Sequence, residues 1–138
     1  MQPVARLAGE REQRAARALG ESRQHLQQQR RQLEELESYR TEYLDQLQRA
    51  ARTGIGAGQL RHYQSFIGKL SEAIEQQRKV VAAAEEAMSR AQEQWHRSRT
   101  RVKVVDTVIS TCRSEEQQEE QRNEQKETDE RALRGFRR

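Results

Sequence analysis

A chain of 138 residues is long enough for one ordinary domain, yet only 33% of it is hydrophobic while 35% is charged, against roughly half apolar and a quarter charged in compact soluble domains. That balance excludes an enclosed three-dimensional core and leaves either disorder or a one-dimensional seam, which needs only about two apolar residues in seven. The formal net charge is +4 with the signs interspersed, so no segment forms the one-sided basic block that grips a phosphate backbone, and nucleic acid is not an expected partner.

The first segment, about residues 3–52, is built from helix-favouring Ala, Leu, Gln, Glu and Arg. Pro3 fits the first turn of a helix, where its missing N–H costs little. No continuous apolar run marks a signal peptide in Met1–Glu21, and no stretch approaches a membrane span, so the expected location is the cytosol. A heptad runs through the segment. Position a reads Ala5, Glu12, Leu19, Leu26, Leu33, Arg40 and Leu47; position d reads Ala8, Ala15, Ser22, Gln29, Leu36, Tyr43 and Ala50. The repeat is strong near Ala50 and thin near the N-terminus. Arg40 and Glu12 interrupt it. Arg40 either snorkels past the seam into water or helps to set register.

Residues 53–58 form the one breaker, with Gly54, Gly56 and Gly58 at alternate positions supplying the freedom to reverse direction. The second segment, about 59–112, carries the clearest pattern. Leu60, Ile67, Ile74, Val81, Met88, Trp95, Val102 and Ile109 recur every seven residues at a; Tyr63, Leu70, Gln77, Ala84, Ala91, Ser98, Val105 and Cys112 follow at d. Seven sustained heptads indicate a coiled coil.

The two seams fold onto each other. With the reversal centred on Ile55, facing residues should have numbers that sum to about 110, and the two heptads obey this in phase. Leu36 is then opposite Ile74; farther out Leu26 is opposite Ala84 and Ala15 opposite Trp95, so large side chains meet small ones. The expected fold is all-α: two long helices in an antiparallel coiled-coil hairpin over residues 1–112. Its seam is carried by Leu26, Leu33, Leu47, Leu60, Tyr63, Ile67, Ile74, Val81, Met88, Trp95 and Val102. Residues 113–138 are polar and have no partner, and they read as a helical extension or a frayed tail. Their apolar groups are Ala132, Leu133 and Phe136.

Chemistry is hard to place on such a scaffold, since a two-stranded coil offers no pocket. His25, His62 and His96 lie apart, Cys112 is the lone cysteine, and the glycine turn lacks the Lys-Ser/Thr that follows a phosphate-binding loop. No catalytic residue, cofactor or metal is expected. The flanks of the seam are more informative. Near the turn the e edge is mostly polar, with Arg30, Glu37 and Leu44 beside Gln64, Ser71, Arg78 and Glu85. The g edge carries Gln32, Tyr39 and Gln46 beside Phe66, Ala73 and Val80. Together with Leu36, Tyr43, Leu70 and Gln77, this makes a half-exposed apolar stripe that starts within about 15–20 Å of the turn. It is either a binding face or a broadened seam.

The same residues carry a family resemblance. The segment from Leu36 to Leu47 has Tyr39 and Tyr43 in an LxxYxxEYxxxL pattern. The segment from Tyr63 to Gln77 has a YxxFIxxLxxAIxQ pattern. Together they resemble the FliJ family, small coiled-coil proteins of the bacterial flagellar type III export apparatus. The resemblance covers about residues 32–77. It implies a non-enzymatic central stalk that enters the ring of the export ATPase hexamer, touches the cytoplasmic domain of the export gate protein and takes part in handling export chaperones. It also implies a location at the cytoplasmic face of the inner membrane, reached only through those partners. The family's gate-docking stripe maps onto Gln32, Leu36, Tyr39, Tyr43, Phe66, Leu70, Ala73 and Gln77; the family can carry His at the position of Gln77. The mixed charge of the open end suits a sliding contact within the ring. The alternatives are a stalk of a virulence type III secretion system, with the same architecture, and a generic coiled-coil scaffold.

Overall fold

The computed structural model describes residues 2–136. It contains two elements, α1 (Gln2–Thr53, 52 residues) and α2 (Ala57–Phe136, 80 residues). Both expected helices are present, and α2 starts earlier and runs further than the heptad alone suggests. The non-helical reversal is confined to Gly54, Ile55 and Gly56.

Local chemistry accounts for so short a turn. Gly54 has φ +87°, the left-handed conformation that ends a helix at least cost when no Cβ is present. Thr53 donates its hydroxyl back to the Ala50 carbonyl at 3.0 Å. The Leu60 amide donates to the Gly56 carbonyl at 3.1 Å, which makes Gly56 the N-cap of α2. Gly58, expected in the turn, is already helical.

The chain divides into two compact units. The first is Ala15–Trp95, which holds the reversal and an antiparallel pair of helical segments. Its buried residues are Leu19, Leu26, Leu70, Ile74, Val81 and Ala84, every one of them at a or d. Leu26, Val81 and Ala84 form one cluster, with Leu33 and Met88 packed against it. Leu26 and Ala84 are a pair whose numbers sum to 110, as the hairpin register requires. Tyr43 and Phe66, whose rings touch, sum to 109. Leu47, Tyr63, Ile67 and Trp95 are half-buried, as expected for a thin seam with solvent on both flanks. Leu60, expected in the core, is instead 37% exposed. It lies in the layer beside the turn, where neighbours cover it from one side only.

The second unit comprises the described residues of Met1–Arg14 and His96–Arg138. Ala5, Ala8 and Glu12 on α1 and Ser98, Val102, Val105, Ile109 and Cys112 on α2 are half-buried, again at a and d. From Arg113 to Phe136 every residue is exposed, yet the segment stays helical. Its Glu, Gln, Lys and Arg content favours helix without tertiary support.

A one-sided apolar flank beside the seam

The expected stripe lies wholly within the Ala15–Trp95 unit, and its members separate into three kinds. Tyr39 is 53% exposed and Phe66 37% exposed, so both rings present apolar surface to solvent, and Val80 continues the same edge. Gln32 is exposed; Leu36, Tyr43 and Ala73 are half-buried behind the rings. Leu70, expected in the half-exposed stripe, is buried and belongs to the seam. Gln77, also expected there, is half-buried and engaged across the seam with Gln29. A d position points into the partner helix, and only its neighbours at g project outward.

The rings are not independent. Tyr43 stacks on Phe66 with centroids 4.4 Å apart and planes inclined by 40°, and meets Tyr63 edge-on at 6.5 Å and 62°. Such aromatic contacts favour tilted and edge geometries. The half-buried Tyr43 thus acts as a shelf that holds Phe66 in place, whereas Tyr39 projects freely.

The opposite flank has different chemistry. There Arg30 pairs with Glu85 at 3.2 Å and Arg78 with Glu37 at 3.4 Å. All four are e positions, so one edge of the coil is crossed by ion pairs, with Leu44 its exposed large apolar group, while the other exposes aromatic rings and Val80. This asymmetry is not required for pairing two helices.

A second apolar surface lies in the unit at the open end, and the heptad reading missed it. A groove of about 500 Å³ is lined by Val4, Leu7, Ala8, Val104 and Val105, with Arg11 and Arg101 at its sides. Val4, Leu7, Val104 and Val108 are all exposed. The mixed charge of this end is present on its exposed residues, and the groove adds an apolar surface beside it. The available signal was Val4 and Leu7, and Val104 and Val108, apolar residues three or four apart at outward c and g positions.

Among the described residues, no group of three or more His, Cys, Asp or Glu is arranged to hold a metal ion. Among the same residues, no helix is long and apolar enough to cross a membrane.

Known proteins share both sequence and fold with this chain. The family model for the flagellar FliJ protein matches residues 1–138. The flagellar FliJ protein of Salmonella typhi is 34% identical over 94 residues, which cover 68% of this chain and 64% of that protein. Its counterpart in Escherichia coli K12 is 33% identical over 94 residues with the same coverage. The matched segment therefore spans just under two thirds of the length of these curated relatives. Among solved structures, a YscO homolog, CT670 from Chlamydia trachomatis, superposes with a TM-score of 0.73 at 23% identity, covering 95% of this chain and 90% of that one. That likeness shows a shared fold.

Proposed function

This chain belongs to the FliJ family of flagellar proteins, and on that premise we propose that it is a non-enzymatic coiled-coil stalk of the flagellar type III export apparatus. In this reading it couples the export ATPase hexamer to the cytoplasmic domain of the export gate protein and takes part in handling export chaperones. It acts at the cytoplasmic face of the inner membrane and reaches the membrane only through its partners. The family match over the whole chain favours the flagellar system over a virulence secretion system.

The observation that carries the reading is the one-sided exposure of Tyr39 and Phe66 beside an ion-paired opposite flank. Aromatic rings held half out of a scaffold supply contact area at small entropic cost and are typical of binding faces. The docking face is then Gln32, Leu36, Tyr39, Tyr43, Phe66 and Ala73, with Leu70 supporting it from the seam. The open end enters the ATPase ring. Its apolar groove and the arginines beside it supply a contact that is adhesive as well as electrostatic.

The test is a pull-down of the full chain against the gate's cytoplasmic domain, with Tyr39→Ala and Phe66→Ala introduced together and helicity followed by circular dichroism. Binding by the parent and its loss in a helical variant supports the docking face. A well-folded parent that does not bind removes the gate from the proposal.

A further inference from the structure

A helical hairpin whose two seams repeat every seven residues faces an ambiguity. Sliding one helix past the other by a heptad returns every a and d position to a seam position. The turn does not resolve it. A one-heptad slip moves the centre of the reversal by half a heptad, from Ile55 to about residue 58 or about residue 52. Gly56 and Gly58 lie at or near the first of these sites, and glycine adopts the backbone conformations of a reversal at little cost.

We infer that register is set away from the turn, by a polar lock of six residues: the Gln29–Gln77 layer in the seam and the crossed ion pairs Arg30–Glu85 and Glu37–Arg78 beside it. The Gln77 side-chain amide donates to the backbone carbonyl of Gln29 at 2.9 Å and to its Oε1 at 2.8 Å. Both protons of one amide are thus taken by a single residue of the other helix. The ion pairs run in opposite senses, basic on α1 in one and basic on α2 in the other, at 3.2 Å and 3.4 Å.

This arrangement penalises both slips. In one direction Arg30 comes to face Arg78, and Gln29 comes to face Leu70. In the other, Glu37 comes to face Glu85, and Gln77 comes to face Leu36. Each slip sets like charges together and strands an amide against a leucine. A uniform charge pattern, all basic on one helix and all acidic on the other, would tolerate either slip. The second slip is the one that the glycine-rich turn leaves open.

A coil locked in this way transmits motion as a strut and not by sliding one helix along the other. That consequence rests on the stalk reading proposed above; the lock itself does not. It also gives Gln77 a role in the seam, which docking at the apolar flank does not explain.

The lock is tested in the full chain with C112S as background, by disulfide trapping under mild oxidation. The pair L26C/A84C reports the observed register, and L26C/A91C reports the slip that the turn permits. In the otherwise unaltered chain only the first pair closes. Adding R30E/E37R exchanges the two α1 charges, so the observed register opposes like charges and the slip pairs opposite ones; adding Q29L/Q77L removes the amide layer. With all four substitutions and helicity retained, the slipped pair should close to a yield comparable with the other. Closure of the observed-register pair alone in a helical quadruple variant overturns the inference. If the quadruple variant is not helical, Q29L/Q77L decides: its apolar layer strengthens the coil, and it must show the slipped crosslink at lower yield. Absence of that crosslink overturns the inference equally. Neither readout involves a partner, so failure of the lock is distinct from failure of the stalk reading.

Discussion

Gln77 holds Gln29 across the seam through two hydrogen bonds of 2.9 and 2.8 Å, in a coil whose buried residues, among those described, are all aliphatic. A polar layer of this kind makes specificity and stability diverge.

Replacing Gln77 should reveal that divergence. Gln77→Ala removes two hydrogen bonds and part of a half-buried side chain, and should lower stability by about 1 kcal/mol. The double change Gln29→Leu with Gln77→Leu should raise the melting temperature, because an apolar layer with no stranded amide stabilises a seam. Thermal unfolding followed by circular dichroism separates the two. A Gln29→Leu/Gln77→Leu variant less stable than Gln77→Ala would show that the amides matter more for energy than for register.

Core energetics should track position in the seam. Ile74 is 1% exposed, and Ile74→Ala should cost about 2–4 kcal/mol. Leu60, at 37% exposure in the layer beside the turn, should lose less than about 1.5 kcal/mol on the same truncation. Urea denaturation of the two variants gives the comparison, and equal losses would contradict the exposed layer beside the turn.

The aromatic flank should respond unequally to truncation. Tyr39 is 53% exposed and lies outside the Tyr43–Phe66 stack, so Tyr39→Ala should change stability by no more than about 0.5 kcal/mol. Phe66 stacks on Tyr43 at 4.4 Å, and Phe66→Ala should cost about 1–2 kcal/mol through the lost ring contact and burial. Both should weaken gate binding. Loss of binding in Tyr39→Ala with unchanged unfolding is the cleaner result, because stability cannot then explain it.

The ion-paired flank should contribute little to stability. Glu85→Gln and Glu37→Gln each remove one half-exposed pair and should cost less than about 1 kcal/mol, an effect that shrinks as salt is raised from 0.05 to about 0.5 M. Denaturation midpoints at the two salt concentrations check this. A large, salt-independent loss would mean that the pairs are more than register markers.

At the turn, Gly54→Ala forces a Cβ into φ +87° and should cost about 1–2 kcal/mol. Gly58→Ala, in the first turn of α2 with open space around it, should be neutral or stabilising by up to about 1 kcal/mol. The melting temperatures of the two variants should therefore move in opposite directions or differ by several degrees.

The sequence by itself determined the periodicity, and periodicity determined most of the fold. Every buried residue sits at an a or d position that the heptad names, and Leu26 and Ala84 lie together where the facing registers put them. This works because helix period and seam phase are local properties, repeated often enough in this chain to overcome single exceptions such as Arg40. Only the tertiary structure decided what happens between the helices. It buried Leu70 where the sequence left it half-exposed, engaged Gln77 with Gln29, paired Arg30 and Glu37 with charges on α2, and left Val4 and Val104 beside an open groove. Those outcomes depend on the facing side chains of a second helix, far away in sequence, and on which flank of a narrow seam each Cβ overhangs. The helical run beyond Arg113 was open to either reading from its sequence, because a polar segment with no facing helix has only its own backbone propensity to settle its state.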